Sequence, residues 1–212
     1  IGHGDTVVAG AGADTIVAGA GDSTVQGGTG YAIVKLGGDE DDYNVSVVGG
    51  HAVVKNLTSG NTTDISKIQF VQLDNGDALI FAKNAAEAAV AQLYEATFGR
   101  AADANGLDYW FDLANAGVSL GTIADGFVAS NEYKAMASVN DLQFVNSVYS
   151  NTFGHAASTA DAVRWTMELA AGKVDRAAVL AIVTALAAQH LDGHASGEAT
   201  IVGSITIIGT II

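Results

Sequence analysis

The spacing of apolar residues changes twice along the chain. Up to residue 82, short β-branched runs such as Thr15-Ile16-Val17 and Ile33-Val34 alternate with glycine-containing turns, a pattern that predicts strands. From 84 to 191 the chain is rich in Ala and Leu, with apolar residues three and four apart, which predicts helices. From 198 to 212 alternation returns at Thr200, Val202, Ile205 and Ile207, followed by Ile208, Ile211 and Ile212. This tail reads as one or two strands. The expected organisation is a β domain over 1–82, a helical domain over 83–192 and a β tail over 193–212.

Within the first segment, Gly10, Gly19, Gly28 and Gly37 recur every nine residues. Gly12, Gly21 and Gly30 follow the first three by two positions, and Ile16, Val25, Val34 and Tyr43 close the units. Gly2 and Gly4 begin an imperfect copy one residue short. A unit this small is one turn plus one short strand. It buries little alone and must stack on its neighbours. Beyond it, Tyr43, Val45 and Val47 alternate, as do Val53 and Leu57, on either side of Gly49-Gly50, which predicts a hairpin. Asn75-Gly76 is a second two-residue turn signal.

In the helical segment, Asn84 and Glu87 have the spacing of a capping box. Val90, Leu93, Tyr94 and Phe98 then share one helix face, and Gly99 ends it. A second helix is expected over 104–116, a third after Ser119 and a last one from Asp175 to His190. The order repeats 55 residues on: Tyr94, Phe98, Gly99, Trp110 and Gly117 recur as Tyr149, Phe153, Gly154, Trp165 and Gly172. Two αα units most simply share one core with the tryptophans at its centre.

Composition narrows the chemistry. Nine basic against 23 acidic residues leave a net charge of −14. That excludes the clustered Lys and Arg by which nucleic acid is held, and it disfavours an anionic membrane surface. With no cysteine, disulfides, thiolate metal sites and thiol nucleophiles are excluded. The longest apolar helical run, Ala177 to Ala188, is far short of the ~20 residues of a membrane span. No basic region precedes an apolar run at the start, so a cleavable leader is not expected.

The nonapeptides resemble the repeats-in-toxin (RTX) motif, G-G-x-G-x-D-x-U-x, of proteins exported by bacterial type I secretion. The resemblance implies a parallel β-roll, or solenoid, with closing strands at its end. It also implies calcium held by the Asp of each turn, between alternate units. Here that slot reads Asp14, Ser23, Ala32 and Asp41. Neither implied pair, Asp14 with Ala32 or Ser23 with Asp41, is complete. Asp22 is displaced by one position, and Asp39 to Asp42 form an acidic run. The candidate metal ligands are therefore Asp14, Asp22, Asp39 and Asp41. Calcium needs six to eight oxygens, and two readings stand open: a calcium-binding roll, or metal-free acidic turns. The fold class expected is thus α+β, with an N-terminal parallel β-roll, an α-helical bundle of a duplicated αα unit and a C-terminal β tail.

The stretch from Leu93 to Trp110, with Gly117, Ser119-Leu120 and Ser130-x-Glu132-Tyr133, resembles a bacterial domain of unknown function. That domain accompanies RTX-type repeats in secreted and cell-surface proteins, and a related helical region anchors surface layers to polysaccharide. In the second copy His155, Ser158 and Asp161 replace Arg100, Asp103 and Gly106. Arg100 and Asp103 are read either as an ion pair pinning the turn or as ligand-binding residues. Tyr109, Trp110 and Tyr133 are candidate sugar platforms.

Two patterns that look catalytic are set aside. Gly117-Val-Ser119-Leu-Gly121 matches a nucleophile elbow, but a helix precedes it, and Ser119 is better read as a helix N-cap. His190-x-Asp192-x-His194 offers metal-ligand types in a connector. No H-E-x-x-H, P-loop or dinucleotide fingerprint is found in the sequence. Residues 201–212 are apolar and uncharged. They are read as a strand of the chain's own sheet, as a type I secretion signal, or as a strand that pairs with a neighbouring subunit. The function expected is a non-catalytic secreted surface or matrix protein acting in assembly or attachment, with self-association into an array or filament and cell-surface polysaccharide as partners. The alternatives are an export and folding module of a larger secreted hydrolase, and a carbohydrate-binding module.

Overall fold

The computed structural model describes residues 2–48, 50–136, 139–191, 199–202 and 205–208. The chain separates into two compact units, one of residues 1–84 with 194–212 and one of residues 85–193.

The first unit contains strands β1 (Asp5–Val8), β2 (Asp14–Val17), β3 (Ser23–Gln26) and β4 (Ala32–Lys35), one per nonapeptide. Then follow β5 (Tyr43–Val48), β6 (His51–Asn56), β7 (Thr62–Ser66), β8 (Phe70–Gln72) and β9 (Ala78–Phe81). The last two strands are β10 (Ala199–Val202) and β11 (Ile205–Ile208). One sheet has the order β1-β3-β7-β6-β5 and the other β10-β11-β9-β8-β4-β2. Successive repeats therefore alternate between sheets. β1 pairs with β3 and β2 with β4, parallel and 18 residues apart in register.

The expectation of an N-terminal parallel β-roll or solenoid is corrected: the unit is two mixed sheets, with no closed or solenoid sheet among the described residues. The reason lies in strand supply. The repeats furnish only two strands to each sheet. The remaining strands arrive through reversals, so β5, β6 and β7 run antiparallel in succession and β8 pairs antiparallel with β9. Gly50 and Gly76 sit at two of those reversals with positive φ, a conformation glycine adopts without a Cβ penalty. The alternating apolar residues of both sheets meet in one core, with Val25, Val34, Val54, Ile65, Val71 and Phe81 at its centre. The tail strands join this unit: β11 pairs parallel with β9 and antiparallel with β10. Ile211 and Ile212, like Asp192 and His194, lie outside the described residues.

Close turn stacking explains some of the glycines. A Cβ on Gly28 or Gly30 would run into the carbonyl oxygens of Gly10 and Gly12 in the preceding turn on that edge. A Cβ on Gly21 would come within 2.5 Å of the His3 backbone.

The second unit contains α1 (Ala85–Phe98), α2 (Ala104–Asn115), α3 (Leu120–Ala129) and α4 (Asn131–Met136). It continues with α5 (Asp141–Phe153), α6 (Thr159–Ala170) and α7 (Arg176–Leu191). Helix α1 packs against α2, α3, α5 and α7, and it is buried around most of its circumference. That accounts for its Ala-rich composition. Ser119 caps α3 as expected, accepting from the Thr122 N–H, and Asp175 accepts from the Ala178 N–H at the start of α7. The carboxylate of Glu87 accepts from Asn115 Nδ2 across to α2 at 2.8 Å. Among the described residues, no helix is long and apolar enough to cross a membrane.

Candidate binding corner of the helical unit

The residues singled out between Arg100 and Tyr133 surround the turn from α1 into α2. Gly99 ends α1 with φ of 63° and donates to the Glu95 carbonyl. Asp103 caps α2 by accepting from the Gly106 N–H at 2.8 Å. Its other oxygen accepts from the Tyr94 hydroxyl at 3.3 Å. A Cβ at Gly106 would lie 2.5 Å from that hydroxyl, so the bond requires glycine there. Burial, and then the Asp103 carboxylate, push the Tyr94 phenol up to about 12.

Arg100 does not pair with Asp103. Its Nε and Nη2 donate to Glu132 Oε1 of α4 at 2.9 and 2.6 Å, and its Nη1 donates to the Ala101 carbonyl at 2.7 Å. The guanidinium also lies 5.6 Å from the Phe98 ring centre and 5.8 Å from that of Tyr94, within reach of a cation–π attraction. Phe127 of α3 is the hub of the rings beneath, with Tyr94, Phe98 and Trp110 all within 5.6 Å. Tyr109 leans edge-on against Trp110 at 4.9 Å. Gly126 admits the Trp110 ring, which a Cβ there would meet at 2.6 Å.

The candidates differ in accessibility. Tyr109 is 57% exposed and Trp110 half-buried, whereas Tyr133 is buried. Tyr133 faces Arg176 of α7, whose guanidinium also binds Asp141. An open platform thus exists at Tyr109 and the edge of Trp110, and not at Tyr133. Placing both tryptophans centrally is correct only for Trp165, which is 3% exposed and donates from Nε1 to the Tyr149 hydroxyl. The second copy of the corner lacks the charged network. Ser158 caps α6, and the His155 ring lies against Phe153.

Glu132 and Gly126 were not picked out as functional residues from the sequence. Glu132 stood inside the quoted motif, but nothing in a 32-residue separation identifies it as the partner of Arg100.

The four acidic candidates are not gathered. Asp14 folds back on its own turn and accepts from the Gly10 N–H. Its register partner on β4 is Ala32, which has no side-chain oxygen. Asp22 lies on the turn of the opposite edge and accepts from the Thr62 N–H at 2.8 Å. Asp39 precedes a 3-10 turn at Glu40–Asp42, and Asp41 lies within it. No cluster of three or more His, Cys, Asp or Glu fit for a metal occurs among the described residues. As placed, the four do not fit one calcium ion, which takes six to eight oxygens. The β unit also has a cleft of about 480 Å³ beside Gly19, Gly37, Asp42, Tyr43, Asn56 and Asn61. Tyr43 donates to the Gly37 carbonyl across its wall.

A family model described as Domain of unknown function (DUF4214) matches the chain over residues 81–137 and again over 124–186, together half its length. No curated protein and no solved structure matches.

Proposed function

This chain belongs to the family of the Domain of unknown function (DUF4214), and on that footing we propose that it works outside the bacterial cell as a non-catalytic surface or matrix component. Its role would be assembly or attachment, as part of a surface layer, filament or adhesin, reached by type I export. The observation that carries this reading is the state of the sheet edges. Among the described residues, β1 and β2 are terminal strands of their sheets. Apart from one carboxylate at the start of each, Asp5 and Asp14, they carry only Thr and β-branched apolar residues, a light guard against pairing with another chain. Val8 is 65% exposed on β1.

Sedimentation velocity and electron microscopy of the purified chain, with and without calcium, test the reading. Concentration-dependent assemblies support it. A strictly monomeric species that binds no cell-surface polysaccharide overturns it.

Attachment through carbohydrate is a second reading, favoured by the exposed Tyr109 ring beside Trp110. Stacking of an aromatic face on a sugar ring is compatible with that geometry. Loss of glycan binding on Tyr109→Ala, with unchanged thermal unfolding, supports it. Equal binding by the variant overturns it.

A further inference from the structure

We infer that the groove between α5 and α6 is a ligand site, and that it takes a small, uncharged apolar molecule, an aromatic ring or a branched chain. This inference goes beyond the assembly reading and does not depend on it.

The duplication supplies the comparison. The helix pairs α1–α2 and α5–α6 stand 55 residues apart and are built alike. α2 and α6 match end for end, each behind a side-chain cap, Asp103 or Ser158. The Tyr94 and Phe98 rings lie 5.4 Å apart at 50°, and the Tyr149 and Phe153 rings 5.5 Å apart at 58°. A difference between the pairs at matched positions is therefore a difference of side chains on one backbone plan.

Two such differences meet at the groove. The first is lost bulk. Ala162 and Thr166 line the α6 wall, where the first pair carries the fully buried Leu107 and Phe111. Large-to-small exchanges leave a cavity when the surroundings do not collapse, and a groove of about 700 Å³ is open here. The second is lost polarity. Leu142, Val163 and Ala170 line the groove in place of Glu87, Asp108 and Asn115. In the first pair Glu87 and Asn115 bond across from α1 to α2, a bridge that Leu142 and Ala170 cannot make. Leu142 and Val163 are 49% and 52% exposed. A surface that meets only water gains nothing by trading carboxylates for Leu and Val, and clustered exposed apolar residues mark a place of binding. Walls that become smaller and more apolar together suit an apolar ligand.

The polar groups set the ligand's charge. Thr166 Oγ1 donates to the Ala162 carbonyl at 2.7 Å, and Asn140 accepts from the Gln143 N–H as the cap of α5. Asp141 accepts from Arg176 at 2.9 Å and is neutralised by it. No basic residue is among the described residues that line the groove, so an anion meets no partner. Asn146 and Thr159 remain. Two neutral groups can orient a ligand, but they cannot replace the water around an ion or around the hydroxyls of a sugar.

Methyl NMR of the whole chain tests the site, with toluene as the probe and benzoate and glucose for comparison. Toluene should give saturable shifts at the Leu142, Ala162, Val163 and Thr166 methyls. Benzoate and glucose should bind at least tenfold more weakly. Thr166→Phe and Ala162→Leu, which restore the bulk of the first pair, should each weaken toluene at least tenfold without lowering the temperature of thermal unfolding. No saturable shift with toluene, equal affinity for benzoate or glucose, or toluene binding unchanged in both variants overturns the inference. Loss of the folded helical signal in both variants also overturns it, since an open groove must accept these side chains. Shifts of the same methyls on diluting the protein alone assign the groove to a second copy and overturn it too.

Discussion

Replacing Arg100 by alanine tests whether the first copy's corner is held by its charged network. The substitution removes two hydrogen bonds to Glu132, one to the Ala101 carbonyl and a cation above two rings. Both side chains of the ion pair are more than 40% exposed, so solvent screening limits the pair to about 0.5–1 kcal/mol. The backbone hydrogen bond adds about 0.5–1 kcal/mol. The cation–π contacts add about as much again. Arg100→Ala should therefore cost about 2 kcal/mol, a fall in Tm of roughly 8–16 °C for a unit of this size. Both tryptophans of the chain, Trp110 and Trp165, lie in the helical unit, so their fluorescence during urea unfolding follows that unit alone. A double-mutant cycle with Glu132→Ala should return a coupling of about 0.5–1 kcal/mol. His155→Ala, at the matching place in the second copy, should cost below about 0.5 kcal/mol, as an exposed side chain normally does. A coupling indistinguishable from zero, or equal losses at Arg100 and His155, would refute the argument.

Three further outcomes follow from contacts already described. The Tyr94 phenol is held protonated up to about 12 against a usual 10. The unfolded chain then releases its proton first, so this contribution is complete below pH 10 and lost as pH rises to 12. Alkaline unfolding monitored by circular dichroism should show that loss, about 1 kcal/mol after screening, and Tyr94→Phe should flatten it. Removing calcium with a chelator should leave the β signal unchanged, because Asp14 and Asp22 already accept from protein N–H groups. A large loss would reverse that assignment. Gly28→Val should abolish the folded β unit, since its side chain meets backbone. Gly12→Val, with nothing within 4 Å, should leave the far-UV spectrum intact.

The helical unit was largely legible because its landmarks are local. Tyr94, Phe98, Gly99 and Trp110 each mark a helix face or end, and their recurrence at 55 exposes the duplication. Past Gly172 the match needs one more residue. Ser119 and Asp175, both N-caps, are 56 apart, as are Ile123 and Val179 in the core. The short helix α4 leaves no signal in the sequence, since six residues carry too little periodicity. In the β unit each nonapeptide strand could be placed, but not its neighbours. Whether β7 lies beside β3 or β5 is decided by packing between residues 40 apart, such as Ser23 and Thr63. No local pattern encodes that choice. The corner failed for a related reason. Arg100 and Asp103 are three positions apart in sequence, but α4 delivers a carboxylate that binds the guanidinium directly.

The order in which strands find partners has a consequence for a chain emerging from its amino terminus. β3 must wait for β7, and β4 for β8. Until residues 62–72 have appeared, the four repeats have only one another, two strands to a sheet, and a pair of strands is marginal in water. Nascent chains halted before residue 60 should be digested readily by protease, and those released beyond residue 82 should resist it. The glycine-rich repeats thus become committed only once β7 and β8 have followed them, although they are synthesised earlier.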